Sequence, residues 1–248
     1  MTALLPVAVG LVAFVYALVG HAGATGYIAV MTLAGLAPGV IRPTALLLNV
    51  LVAAIGTAQF ARAGHFRHDL FRPLAAASVP AAFLGGSLAL PTAVFEAVVG
   101  VALLASAAQL VLATARAEPE PAGRRPGPAA LVALGAGIGL LSGLTGVGGG
   151  VFLSPVLLAL EAASVRGVAA VAAPFILVNS LAGLAGGAVA GAAWPPVMPW
   201  VVAAAIGGGA VGSQLGAFRL PVRALRIVLA VVLAAAAWKL FAAAFTVR

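Results

Sequence analysis

The chain has 248 residues, of which 64% are hydrophobic and 7% charged, with a formal net charge of +8 and a mean hydropathy of +1.21. A folded water-soluble domain carries roughly 25% charged residues, so this composition excludes a soluble enzyme or a free nucleic-acid-binding protein and predicts an integral membrane protein with basic cytoplasmic loops. With no cysteine there is no disulfide, iron–sulfur or thiolate zinc chemistry, and no cofactor or metal is expected.

The first Lys or Arg is Arg42. The opening apolar run therefore lacks the basic start of a secretory signal and is expected to remain in the mature protein, with its end outside the cytoplasm. Residues 3–37 are apolar but interrupted by Gly20-His21-Ala22-Gly23-Ala24-Thr25-Gly26. Full spans of about 20 residues are predicted at 43–61, 73–91 and 92–114. The stretch 115–128, with Arg116, Glu118, Glu120, Arg124, Arg125 and the prolines Pro119, Pro121 and Pro126, reads as a solvated cytoplasmic linker. A second interrupted region, 129–161, breaks at Gly143-Leu144-Thr145-Gly146-Val147-Gly148-Gly149-Gly150. Spans at 167–190, 198–218 and 222–245 follow. After each break about 11 residues remain, near 17 Å of helix and too short to cross. Two short helices joined by a glycine break predict a re-entrant hairpin, tolerated at membrane depth where protein or water covers it.

Both halves run in one order: broken hairpin, arginine, three spans. Gly20/Gly23/Gly26 pair with Gly143/Gly146/Gly149, Arg42 with Arg166, Ala63-Gly64 with Ala190-Gly191, Gly86-Ser87 with Gly212-Ser213, and Leu90-Pro91 with Leu220-Pro221. Equivalent loops carry opposite charge. Residues 62–72 hold Arg62, Arg67 and Arg72 while 191–199 hold none; 91–94 hold none while 219–226 hold Arg219, Arg223 and Arg226, of the positively charged type. By the positive-inside rule these loops face opposite sides. The expected fold is an all-α polytopic membrane protein of two inverted-topology repeats, 1–114 and 129–248, with both termini outside. Lys239 and Arg248 weigh mildly against that last placement.

Inverted repeats with broken helices place binding sites near the midplane, where half-helix N-termini present free N–H groups and a positive dipole end. Helices starting near Thr25-Gly26 and Gly148-Gly149-Gly150 would aim such ends inward from both sides, predicting a small anion as ligand.

The motif at 143–155 (GLTGVGGGVFLSP), its degenerate first-half counterpart and the two-half plan resemble the TauE/SafE family of membrane permeases over nearly the whole chain. The resemblance implies a multi-pass protein of the cell (inner) membrane that moves sulfite, organosulfonates or related sulfur anions, with export the expected direction. The first half departs from the family by having His21-Ala22-Gly23-Ala24 in place of a richer glycine run. Thiosulfate-importing relatives use cysteines, so the resemblance does not extend to a thiol mechanism here.

The candidate binding residues are Gly23, Thr25, Gly26, Asn49, Thr145, Gly146, Gly148, Gly149, Asn179 and Ser180. Against each stands a blander role, since Ser and Thr in membrane helices usually bond back to their own helix and a mid-span Asn can serve an interhelical bond. Gln59, Ser87 and Ser213-Gln214 are weaker candidates. Arg42 and Arg166 either anchor topology by snorkelling or concentrate anions at two mouths. A lone His21 at a helix end reads as structural more often than as a titrating group. The ladders Gly139/Gly143, Gly183/Gly187/Gly191 and Gly208/Gly212/Gly216 predict close helix packing, with a homodimer as a second use.

Rival functions differ in what they need. A membrane enzyme needs placed acids, bases or metal ligands, yet there is no HExxH or GxSxG and the only Asp is Asp69. A structural subunit needs no paired anion-ready helix ends. A channel, or a permease for another small carboxylate or inorganic anion, shares the same features. Alternating access about a central site is the expected mechanism. An anion leaving a negative-inside cell gains ~2.3 kcal/mol per charge per 100 mV, enough for uncoupled export.

Overall fold

The computed structural model describes residues 4–88, 91–115, 126–192 and 198–218, together with 234, 237, 238, 241 and 242. Within them lie nine helices: α1 (Leu5–Ala17), α2 (Ala24–Leu33), α3 (Pro38–Arg62), α4 (His68–Ser87), α5 (Thr92–Ala115), α6 (Pro128–Thr145), α7 (Gly150–Ala159), α8 (Val165–Val189) and α9 (Pro199–Phe218). The charged part of the 115–128 linker, the uncharged loop around Trp194, the Arg219–Arg223–Arg226 cluster and most of the 222–245 span fall outside the described residues.

The spans at 43–61, 73–91, 92–114, 167–190 and 198–218 correspond to α3, α4, α5, α8 and α9. By length and composition, Pro38–Arg62, Pro128–Thr145, Arg166–Val189 and Pro199–Phe218 are apolar enough to cross a membrane. α4 is not among them, because Arg72, two prolines and its small polar residues dilute its hydrophobicity. α6 corrects the expectation of two short hairpin arms. Its 18 residues run on through Gly135, Gly139 and Gly143 to Thr145, because those glycines pack against a neighbour and do not end the helix. The short second arms are as expected: α2 and α7 have 10 residues each, about 15 Å of helix.

The backbone repeats itself in a register shifted from the sequence pairing. Left-handed glycines Gly20 and Gly23 match Gly146 and Gly149, and the left-handed residue closing α2, Gly35, matches Glu161 after α7; all three pairs are equally spaced along the chain. Gly20 therefore partners Gly146, one glycine later than the motif comparison gave. Arg42 and Arg166 do not share this spacing. Ala63-Gly64 and Ala190-Gly191 do correspond, each placing a left-handed glycine just past a helix end. Gly86-Ser87 and Gly212-Ser213 share the spacing of the left-handed pairs, although the first pair ends α4 and the second lies inside α9.

Helix packing crosses between the halves. The first hairpin arm α1 packs on α9 and the second, α6, on α4; α3 and α8 pack on each other, and each also packs on the other half's second span. One apolar core joins α1, α2, α3 and α5 to Val201 and Ala205 of α9; the other joins α6, α7 and α8 to Leu70 and Leu74 of α4. Glycine ladders set the spacing. Gly135, Gly139 and Gly143 of α6 lie on the backbone of Leu74, Ser78 and Ala82, and Gly208, Gly212 and Gly216 of α9 on that of Gly10, Phe14 and Leu18. Gly183 and Gly187 of α8 lie near Gly143 and Gly86, whereas Gly191 meets nothing and belongs to the helix cap. Small residues bring backbones close where lipid supplies no hydrophobic drive. Large apolar side chains such as Leu4, Leu181, Trp200 and Val189 point outward. In the basic loop, Arg67 donates two hydrogen bonds to Asp69, at 2.9 and 2.7 Å, and these hold its guanidinium above its ordinary pKa.

Gly139 and Gly137 provide an internal contrast, since a Cβ at Gly137 meets open space and one at Gly139 meets the Ser78 backbone. Gly137→Ala is expected to hold or raise the melting temperature, by up to about 1 kcal/mol of helix propensity. Gly139→Ala is expected to lower stability by roughly 1–3 kcal/mol through overpacking. Thermal unfolding in one detergent checks both.

Candidate functional site

The two glycine breaks lie inside the protein. The first runs from Leu18 to Gly23 and the second from Gly146 to Gly149, so Gly143, Leu144 and Thr145 still belong to α6, while Thr25 and Gly26 belong to the first turn of α2. Gly23 and Gly149 are the N-caps of α2 and α7, at φ 102° and 83°, and neither helix start receives a side-chain cap. The N-terminus of α8 shows the contrast: the Ser164 hydroxyl accepts from the Gly167 N–H at 3.2 Å. An uncapped helix start leaves backbone donors for water or a ligand.

The second break gathers most of the candidates. Asn49 of α3 donates from Nδ2 to the Val147 carbonyl at 3.4 Å and to Ser180 Oγ of α8 at 3.3 Å. Gly148 lies against Asn49, Ile176 and Ser180, so a side chain there would displace the pair. Gly149 lies against Phe175, Ile138 and Ser142. Thr145 donates to the Leu141 carbonyl at 2.7 Å and accepts from the Val147 N–H at 3.3 Å, which ties the end of α6 to the break. Asn179 donates back to the Phe175 carbonyl at 2.8 Å. Among the described residues, Asn49 Oδ1, Asn179 Oδ1 and Ser142 Oγ are buried and have no hydrogen-bond partner. Because each amide nitrogen faces a carbonyl, both amides are oriented, leaving their oxygens as the open positions.

The first break is filled differently. Thr25 donates to Tyr16 Oη at 2.8 Å, Tyr27 donates to the Ala22 carbonyl at 2.6 Å, and Gly26 lies against Val12 and Tyr16. Thr25, Gly23 and Gly26 thus pack on α1 and are not brought to Asn49 and Ser180. The two breaks meet through His21. Its Nε2 lies 3.0 Å from Ser154 Oγ of α7 and its ring edge lies against Gly150. Sequence reasoning missed Ser142, Ser154 and Tyr16; a lone histidine inside a glycine break was the available signal.

The two arginines have unlike surroundings. Arg42 is half-buried. Its Nη1 donates to the Leu88 carbonyl at 3.1 Å, and its Nη2 faces the Gly85, Gly86 and Gly143 carbonyls at 2.9, 2.7 and 2.6 Å. It closes the C-terminal ends of α4 and α6 together, and its stem packs on Gly146. Arg166 is exposed in the first turn of α8. A crevice among α1, α2, α3 and α9, lined by Leu5, Val9, Met31, Leu48 and Val201, is apolar and holds none of the candidate residues.

Residues 5–240 match the family model described as Sulfite exporter TauE/SafE. The chain is similar to the "Probable membrane transporter protein y4hK" of Sinorhizobium fredii (strain NBRC 101917 / NGR234), with 41% identity over 238 residues, 95% of this chain and 96% of the relative. No solved structure matches. The chain belongs to the TauE/SafE family: it is a multi-pass membrane transporter and not an enzyme.

Arg42→Lys keeps the charge but cannot span the four carbonyls. It is expected to cost about 1.5–3 kcal/mol of stability in the absence of any anion, the scale of a charge-assisted hydrogen bond. Arg166→Ala, an exposed change, is expected to stay within about 0.5 kcal/mol. Paired thermal melts in anion-free buffer check the contrast.

Proposed function

We propose that this transporter exports small sulfur oxyanions or organosulfonates across the cell's inner membrane, by alternating access about a site centred on the second glycine break. The carrying observation is the pair of uncapped starts of α2 and α7, buried and joined through His21. Their N–H groups and positive dipole ends favour an anion without a fixed countercharge. Gly148, Gly149, Asn49, Thr145 and Ser180 form the centre, with Asn179 beside it. Gly146 shapes the turn. Gly23, Thr25 and Gly26 contribute the opposing helix end and its support on α1. Arg166 is the exposed mouth charge, and Arg42 acts from behind by fixing α6.

The frame for such a cycle is two inverted repeats, 1–114 and 129–248, joined by a cytoplasmic linker at 115–128. The matched left-handed positions and the exchanged helix packing support it. Sulfite and sulfonate come from the family resemblance; the helix ends support an anion more broadly.

Thermal stability of the purified protein against sulfite, taurine, sulfoacetate, sulfate, thiosulfate, lactate and chloride tests the substrate class. A bound ligand at 100 times its dissociation constant stabilises by about 2.7 kcal/mol. Selective stabilisation by sulfite or a sulfonate is expected; a response to lactate or chloride alone would reject the sulfur assignment. Thr145→Val, which unties Val147 from α6, is expected to weaken that binding about tenfold, or 1.4 kcal/mol. Unchanged affinity removes the second break from the site.

A further inference from the structure

Resting on the anion site just proposed, we infer that His21 is a proton-binding residue of the transport cycle, taking up a proton as the anion binds between the two half-helix starts.

His21 is 6% exposed and lies where the first break touches α7 of the second hairpin. Its ring hydrogen-bonds Ser154 Oγ of α7 and lies against Gly150, so it touches both halves of the chain. From α1, Tyr16 meets it edge-on with ring centroids 6.3 Å apart. From the α2 side the nearest titratable group is the Tyr27 phenol, which is committed to the Ala22 carbonyl. From α8 come Ala169, against Gly20, and Ile176, against Gly150, both apolar. Among the described residues no carboxylate, lysine or arginine is ion-paired or hydrogen-bonded to the ring.

An imidazolium in this position has no countercharge of its own and sits beside two positive helix ends. An unpaired charge buried in this way is costly. An arriving anion supplies the missing partner, and the proton in turn neutralises the anion inside the membrane. Linkage makes the effect reciprocal: the anion raises proton affinity by the factor by which the proton raises anion affinity. Neutral Nε2 can exchange hydrogen bonds with the Ser154 hydroxyl, whereas the protonated ring can only donate, so the Ser154 contact is where protonation is felt by α7. A monoanion then crosses with one proton as an electroneutral pair, in place of the uncoupled flux that the membrane potential alone could drive.

Calorimetric titration in two buffers of different ionisation enthalpy counts the protons taken up on binding. Methanesulfonate and sulfate are suitable probes because neither takes up a proton near neutral pH. The wild-type protein is expected to take up about one proton per anion near neutral pH, falling to none as the pH drops and His21 is already charged. His21→Gln keeps a donor toward Ser154 and is expected to bind with no proton uptake. Wild-type binding without proton uptake overturns the inference while leaving the anion site standing. So does a proton count that stays constant as pH falls, a readout that does not depend on the variant folding, or one unchanged in His21→Gln. If neither these probes nor the sulfite and sulfonates of the stability panel bind, the anion site fails and the proton role falls with it.

Discussion

A helix that stops inside a membrane exposes backbone N–H and C=O groups that hydrocarbon cannot satisfy. Among the described residues, helices stop inside the protein at the two glycine breaks, and neighbouring helices cover both. The second break is enclosed by α3, α6 and α8, through Asn49, Ser142, Phe175 and Ser180. The carbonyl of Gly143 near the end of α6 and those of Gly85, Gly86 and Leu88 at the end of α4 are gathered by one guanidinium, that of Arg42. The remaining side of the ledger, the N–H groups that begin α2 and α7, is left without side-chain caps. At the second break the carbonyl end is thus closed and the amide end open, an arrangement whose dipole favours negative charge.

Close approach makes this enclosure feasible. α4 accommodates α6 because Gly135, Gly139 and Gly143 present no side chains, and α9 accommodates α1 through Gly208, Gly212 and Gly216. The same kind of contact is made twice, but the glycines come from the hairpin arm in one pair and from the later span in the other. Equivalent geometry is therefore retained while the residues that provide it have been exchanged. Glu161 illustrates the same tolerance, holding at φ 50° a left-handed turn that Gly35 occupies in the first half.

Much of the fold was legible in the sequence because its signals are local. Apolar run length gave the spans, and clustered glycines with only ten or so residues beyond them gave the short helices α2 and α7. What failed was of longer range or finer register. A glycine in α6 does not announce whether it breaks the helix or packs it, so Gly143 was read as part of the break when its contact is Ala82 on another helix. For Arg42 the sequence offers only a topology anchor or a mouth charge, because its carbonyl partners lie far along the chain and carry no side-chain signature. At the site, Asn49 and Ser180 were visible as polar residues stranded within spans, and they are indeed neighbours. Thr25 was equally visible, yet its hydroxyl turns to Tyr16, a partner that no spacing rule identifies.

The crossed packing bears on how the protein is made. When the first half leaves the ribosome, α1 and α4 have been synthesised, but the helices that cover them, α9 and α6, have not. Neither core can close on early residues alone, since each includes a helix from the other half. Insertion of the first spans must therefore precede their assembly by the time taken to translate much of the second half. During that interval, flat glycine-compatible helix faces wait in the bilayer for partners still being synthesised. Because both helix pairs lie in one chain, their contacts form as internal encounters and do not depend on the concentration of the protein.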